Sequence, residues 1–577
     1  MAKEFQLESV LTADLGSAIT RVSLMDRIAG EYRLVAMAEA QSTPRDMSVG
    51  LREAVEDIEV RTGERLLGKE GNLITPESPD GTGVDGLVAI TSAADPIQLI
   101  LAATGPRSLG AARRAAATTY STIADERTSD RLRLSSPEAM GSFLAAFASE
   151  EVDAVVLAGG TDGGARQPVL ELASTLALFC ASQVHQGRPH IIFAGNQDVS
   201  AQIDLILGGV SDLEAAANIT PAPAEEDLSE IHEALERMFV EDKIRALPGI
   251  EKIRSWSLAP IQPTVKALAW TVEYLSRQYN LDVLGADLGA GSTSLVGSLS
   301  GRPALTISGG TGLAFGLDRL LETLADDDIL RWLPFEMEGS EVRMRLLNKA
   351  ARPGTLPGSR EDALLEQAVG RELFSRVLAT SGLSANGAAA PSLPPLDLIV
   401  GSGGLLSHTA HDRQAALLLL DALQPVGVCS IALDRLGIMS QIGALAAVEP
   451  LAAAQVLVRD GLVNLGTVVA LQGTGRPGSM ALRFKVIYPD ESVIEGEATY
   501  GTLEVVPLPA DQVATLELRP SGGFDVGMGR KGGGATTEVE GGTVGIIIDA
   551  RGRPLSLPED ATSRRARIQE WMWEAGY

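Results

Sequence analysis

Thr12-Ala13-Asp14-Leu15-Gly16-Ser17-Ala18-Ile19-Thr20 and Gly285-Ala286-Asp287-Leu288-Gly289-Ala290-Gly291-Ser292-Thr293 repeat one pattern 273 residues apart. In each copy an Asp closes an apolar strand, a glycine follows two residues later and hydroxyl residues come just beyond. An apolar strand then resumes, at Val22-Ser23-Leu24 and at Ser294-Leu295-Val296. The pattern predicts a hairpin whose turn can grip phosphate. Glycine lets backbone N–H groups approach phosphate oxygens, hydroxyls add donors, and the Asp can hold a hydrated Mg²⁺. One Asp-x-Gly before a strand is an ordinary turn signal. Two related copies, each opening one half of a long chain, point to a nucleotide clamp.

The chain has 577 residues, more than one ordinary core accommodates, and 45% of them are hydrophobic. Lys plus Arg number 48 against 75 Asp plus Glu, a net charge of −27. That balance argues against nucleic acid and anionic membrane as partners. The densest basic run, Ser563 to Arg567, has Glu559, Asp560 and Glu570 beside it and reads as a solvated helix face. Cys180 and Cys429, the two cysteines, sit in apolar runs and read as core residues. The N-terminus shows no apolar signal region, and no uninterrupted apolar run reaches membrane-spanning length. A cytoplasmic location is expected.

Strands are expected at Ser9 to Leu15, Ala18 to Met25, Tyr32 to Ala38, Gly86 to Thr91, Pro96 to Ala103, Ala154 to Ala158 and Pro189 to Ala194. Helical patterns at Asp46 to Thr62, Ser108 to Thr118, Pro137 to Ala148 and Val169 to Val184 interleave with them, which argues for α/β layers. Further helices are expected at Leu228 to Arg245, Gln262 to Tyr279, Gly312 to Leu324, Arg360 to Thr380 and Asp412 to Leu423. Ser384 to Pro395 reads as a low-complexity loop. After about Leu451 helical signals fade, and alternating runs at Met480 to Tyr488, Ser492 to Val506 and Ala514 to Leu518 predict a β-rich domain. Its tail from Asp560 reads as one helix, with Trp571 and Trp573 expected to pack on that domain.

Three glycine loops extend the chemical reading. Strand Leu396 to Val400 runs into Gly401-Ser402-Gly403-Gly404, where glycines can admit a flat adenosine that a Cβ would exclude. Gly159-Gly160-Thr161-Asp162-Gly163-Gly164 and Ser308-Gly309-Gly310-Thr311-Gly312 also follow strands, at the carboxyl edge where open α/β sheets bind ligands. Asp162, the acid of the first loop, is a candidate for orienting water or metal. His185, His190, His232, His408 and His411 have no partners at ligand spacing, and no Walker A loop or hydrolase elbow is present.

The ordered set of two hairpins and the Gly401 to Gly404 turn resembles the actin, Hsp70 and sugar-kinase ATPase superfamily. More specifically, the chain resembles the glutamate-mutase-associated MutL family. Leu11 to Val22, Val152 to Gly164, Ile191 to Asp198, Asp287 to Leu295 and Leu398 to Leu405 carry the likeness. The resemblance implies two ribonuclease-H-like halves, residues 1–225 with an α/β insertion and residues 226–450, followed by a β-rich domain over 451–577. It implies ATP/ADP and Mg²⁺ as cofactors. Asp14, Gly16, Ser17 and Thr20 would form one phosphate loop, and Asp287, Gly289, Gly291, Ser292 and Thr293 the other. Gly401, Gly403 and Gly404 would line the adenosine, with Asp14 and Asp287 at the metal and Asp162 a supporting catalytic acid.

The resemblance further implies a chaperone-like ATPase that maintains or reactivates a B12-dependent mutase. The chain has no Asp-x-His-x-x-Gly stretch, so any cobalamin connection would run through that protein client. Members of the superfamily often carry an acid seven residues after the second-loop Asp, whereas here Ser294 stands there, and slow hydrolysis is expected. A small-molecule kinase using the same clamp is the alternative. An iron–sulfur activator is disfavoured by the apolar settings of both cysteines.

Overall fold

The computed structural model describes residues 7–129, 152–182, 188–383 and 393–577. The helix expected over Pro137 to Ala148, His185 and most of the Ser384 to Pro395 loop lie outside them. The fold is mixed α/β, with four sheets among the described residues. It divides into two compact units, one formed by Met1–Ala93, Leu247–Leu305 and Thr311–Tyr577, the other by Ala94–Ala246 with Thr306–Gly310.

The first unit opens with an antiparallel meander of β1 (Ser9–Leu15), β2 (Ile19–Ile28) and β3 (Glu31–Gln41), and β4 (Gly86–Thr91) lies parallel to β1. Val10, Leu11, Ala13 and Leu15 are all buried, because β1 is central and helices cover the sheet. Helix Met47–Thr62 starts where Asp46 accepts the Ser48 N–H and stops at Gly63, which takes the left-handed conformation.

The second unit is a parallel sheet of β5 (Ile97–Ala103), β6 (Ser121–Thr128), β7 (Ala154–Ala158), β8 (His190–Phe193) and β9 (Asp212–Ala215). Its order, β6-β5-β7-β8-β9, is that of a doubly wound α/β layer. Cys180 is buried in this unit's core beside Phe179 and Leu176, as its apolar run implied.

Returning to the first unit, β10 (Gln262–Pro263) adds to β4, giving the order β10-β4-β1-β2-β3. Then β11 (Val283–Leu288), β12 (Ser292–Leu299) and β13 (Arg302–Gly309) form a second meander. β14 (Leu398–Ser402) runs parallel to β11 and β15 (Gly427–Leu433) parallel to β14. The order β13-β12-β11-β14-β15 repeats that of the first sheet read from its other edge. Helices Thr264–Tyr279 and Met439–Ala446 cross closely enough that a Cβ on Gly443 would strike the Ala267 carbonyl, and Thr271 Oγ1 donates to Met439 O at 2.8 Å.

Beyond residue 450 the helical character persists longer than expected, through Pro450–Val456 and a wider turn over Leu457–Gly461. Seven strands follow: β16 (Val463–Ala470), β17 (Met480–Ile487), β18 (Val493–Thr499), β19 (Leu503–Val506), β20 (Val513–Pro520), β21 (Ala535–Glu540) and β22 (Gly545–Asp549). The run from Ser492 to Val506, expected as one strand, breaks at Gly501 (φ 101) into β18 and β19. β16, β22 and β19 extend the sheet of β15, while β18-β17-β20-β21 forms a sheet of its own. Helix Ala561–Ala575 closes the segment. Trp571 is buried and donates to Gly501 O at 2.8 Å, but Trp573 is 83% exposed, contrary to expectation, because it lies on the outward face of the helix.

A buried charge network ties this segment to the second sheet's helices. Arg551 bridges Asp549 and Asp421, Arg553 reaches Asp549, and Arg371 of helix Arg360–Thr380 donates to Asp421 at 2.8 Å. Burial alone would raise the Asp549 carboxyl, but Arg551 and Arg553 hold it well below the usual carboxylate range. Removing one partner of such a network strands a buried charge, at about 3–5 kcal/mol. Arg551→Met is expected to lower stability by about that amount, read as a lower urea midpoint; an unchanged midpoint would contradict this role.

Candidate functional site

In the first hairpin Gly16 N donates to Ile19 O at 3.1 Å, closing the turn between β1 and β2. Asp14 lies one residue before the end of β1, partly accessible, where Thr264 Oγ1 donates to its Oδ1 at 2.8 Å. Ser42 Oγ donates to Gly16 O at 2.6 Å and lies 2.9 Å from Thr20 Oγ1. Thr20 is fully buried, so it braces the turn from behind while Ser17 stays partly exposed at the tip.

The second hairpin is built the same way, with Gly289 N donating to Ser292 O at 3.0 Å and Asp287 one residue before the end of β11. Thr293 Oγ1 donates to Thr311 O at 2.7 Å, and Leu313, Ala314 and Phe315 donate their N–H groups to Gly289 and Ala290 carbonyls. This contact explains why the helix expected from Gly312 begins only at Leu317: the intervening residues line the turn instead. The two turns meet. A Cβ on Gly291 would lie 2.9 Å from Ser17 Oγ, whereas one on Gly289 would meet nothing nearer than Ser292 O at 3.7 Å.

The third wall is the turn after β14. Gly403 has φ +91, and a Cβ there would collide with the Leu288 backbone, so only glycine lets this turn lie against the end of β11. A Cβ on Gly404 would face open space. Gly401 differs, since a Cβ there would press on Leu419 and Leu406; the core, not the cleft, excludes its side chain.

The structure adds residues that the sequence reading did not single out. Asp434 follows β15 directly and is buried, accepting from Ser402 Oγ at 2.9 Å, Ile438 N at 2.9 Å and Met439 N at 3.1 Å. Arg21, opposite Asp14 in the β1–β2 register, donates to Gly437 O at 3.0 Å and Glu39 Oε1 at 2.7 Å. Burial raises Asp14, Asp287 and Asp434 alike, and Arg21 opposes the rise at each. Asp287 is pushed up to about 7, by burial first and then by the negative charges of Asp14 and Asp434. Among the described residues no three His, Cys, Asp or Glu side chains are grouped to ligate one metal.

Asp162 belongs to the second unit, in the loop that leaves the carboxyl end of β7. Its Oδ1 accepts from Gln197 N at 3.0 Å and Asn218 Nδ2 at 2.8 Å, tying three loops together. Ser294 is buried on β12 opposite Asp287.

Fold and site define an α/β protein in which two sheets of like topology bring glycine turns and carboxylates to one place. The family model described as MutL protein matches residues 10–460, and the chain belongs to that family. It is 25% identical over 313 residues to Protein MutL of Clostridium tetanomorphum, a match covering 52% of this chain and 61% of that relative, so the chain spans about six-tenths of its length. Among solved structures it is similar to nucleotide-free acetone carboxylase (12% identity, TM-score 0.32, covering 85% of this chain and 81% of that one). It is also similar to component A of (R)-2-hydroxyglutaryl-CoA dehydratase of Acidaminococcus fermentans (10%, TM-score 0.26, 77% and 99%). A third is EutJ of Carboxydothermus hydrogenoformans (10%, TM-score 0.24, 78% and 89%). Among the described residues no helix is long and apolar enough to cross a membrane.

The raised Asp287 gives a pH signature. Between about pH 4 and 7 the folded chain keeps this proton while the unfolded chain has lost it, so its contribution, full at low pH, is lost as pH rises through 7. Asp287→Asn, which cannot ionise, is expected to stabilise the nucleotide-free protein by about 2–4 kcal/mol at pH 8 and by progressively less toward pH 4. Thermal melts of both proteins across that range check it; a pH-independent difference would contradict it.

Proposed function

We propose that this chain is an ATP-binding, slowly hydrolysing accessory protein of the actin and Hsp70 type, acting on an adenosylcobalamin-dependent mutase. The observation that carries the reading is the meeting of the two glycine turns, Ser17 against Gly291, each turn following its own Asp, with open space at Gly404. On this reading residues 1–225 and 226–450 hold the two ATPase halves, and 451–577 passes the nucleotide state to the client.

The residues divide by task. Backbone N–H groups of the turns at Gly16 and Gly289, with Ser17, Gly291 and Ser292, would hold phosphate oxygens. Thr20 and Thr293, whose hydroxyls are engaged within the fold, keep the turns in shape. Gly403 and Gly404 would admit the adenosine, and Gly401 packs the strand beneath it. Mg²⁺ would supply charge neutralisation at the phosphates, and Asp14 and Asp287 would orient its water shell. Thr264 fixes one Asp14 oxygen. With Ser294 opposite Asp287, turnover would be slow.

Membership in the MutL family supports the choice of client. The test is recovery of a glutamate mutase inactivated by turnover. Adding this chain with Mg·ATP and fresh adenosylcobalamin is expected to restore mutase activity at least fivefold over cofactor alone, with ATP hydrolysis rising when mutase is present. Recovery equal to cofactor alone would contradict the client. ADP formation that instead requires a polyol would make the chain a kinase.

A further inference from the structure

A cavity of about 500 Å³ opens in the first unit beyond the Gly401 to Gly404 turn, lined by His411, Asp412, Arg413, Arg435, Thr543 and Gly576 among others. Four separate stretches of chain build it. His411 to Arg413 start helix Asp412–Leu423, Arg435 follows β15 and Asp434, and Thr543 and Gly576 come from the C-terminal segment.

The charge of this lining runs against that of the chain. The protein carries −27 overall, a field that repels anions from most of its surface. Here two guanidinium groups face one carboxylate. Arg435 lies 3.7 Å from Asp412 and donates to Thr409 Oγ1 at 3.2 Å, while Arg413 donates to Gly576 O at 3.3 Å. Among the described residues Arg413 has no carboxylate within ion-pair distance. A guanidinium carries five N–H donors in a planar fork, so each arginine keeps donors beyond these contacts. His411 gives the helix start no side-chain cap.

From this combination we infer that the cavity is an anion-binding site, separate from the nucleotide clamp, for a small carboxylate- or phosphate-bearing metabolite. Its volume lies in the ordinary range for small-molecule sites. Paired guanidinium groups recognise both kinds of oxyanion through two parallel N–H···O bonds. The inference does not depend on nucleotide binding by the hairpins.

The test uses the full chain carrying Asp14→Ala and Asp287→Ala, with EDTA present, so that no cation draws either anion to the two hairpins. Isothermal titration with inorganic pyrophosphate and, separately, with citrate is expected to give saturable one-to-one binding of at least one of them. Pyrophosphate binding alone marks a phosphate ligand, and citrate binding alone a carboxylate. Arg413→Gln and Arg435→Gln, each added to that background and confirmed folded by circular dichroism, should weaken binding at least tenfold. Arg413 is on the surface side of the cavity, so its variant serves alone if Arg435→Gln does not fold. Absence of saturable binding for both anions overturns the inference, and so does binding that neither substitution weakens.

Discussion

Three carboxylates brought together from two sheets against their mutual repulsion are the constraint on which the site depends. Asp14 and Asp287 stand at equivalent points of β1 and β11, and Asp434 follows β15. Burial and like charge together hold Asp287 near neutrality, and Arg21 is the cation that opposes the rise at all three. Such an arrangement survives only when the backbone over-determines it. Strand pairing does so here: β1 with β4 and β11 with β14 are parallel, with their carboxyl ends side by side.

The groups near the carboxylates fix their positions. Thr264 anchors Asp14, Ser402 and two backbone N–H groups hold Asp434, and Gly403 lets the third turn press on Leu288. Arg21 reaches across to Gly437, and Glu39 orients it. Farther off, the Asp549, Arg551 and Asp421 network joins the C-terminal segment to the helix after β14, so the eight-stranded sheet and the segment that extends it share one core. Polar groups thus specify register, and burial of Leu, Ile, Val and Ala side chains supplies the driving force.

Much of this was legible in the sequence where local pattern decides structure. β1, β4, β7, helix Arg360–Thr380 and helix Asp412–Leu423 have the bounds that periodicity predicts, because each has strong apolar patterning and clear stop signals. What was not legible depends on tertiary pairing. Asp434 follows a strand but opens no hairpin, so it lacks the Asp-x-Gly spacing that marked the other two. Thr264 becomes an Asp14 partner only because β10 pairs with β4. Gly401 was read with Gly403 and Gly404, yet Leu406 and Leu419, from the two helices that follow the turn, fold back against it. Nor could alternation in β16, β19 and β22 reveal that they would join the sheet of β15.

We propose that Asp14 and Asp287 act together at a cation-dependent nucleotide site. Calorimetric titration of ATP into the full chain, with Mg²⁺ and with EDTA, measures this directly. One-to-one binding that needs Mg²⁺ and is weakened at least thirtyfold by either Asp14→Ala or Asp287→Ala is expected. Unchanged Mg·ATP affinity in both variants would contradict it.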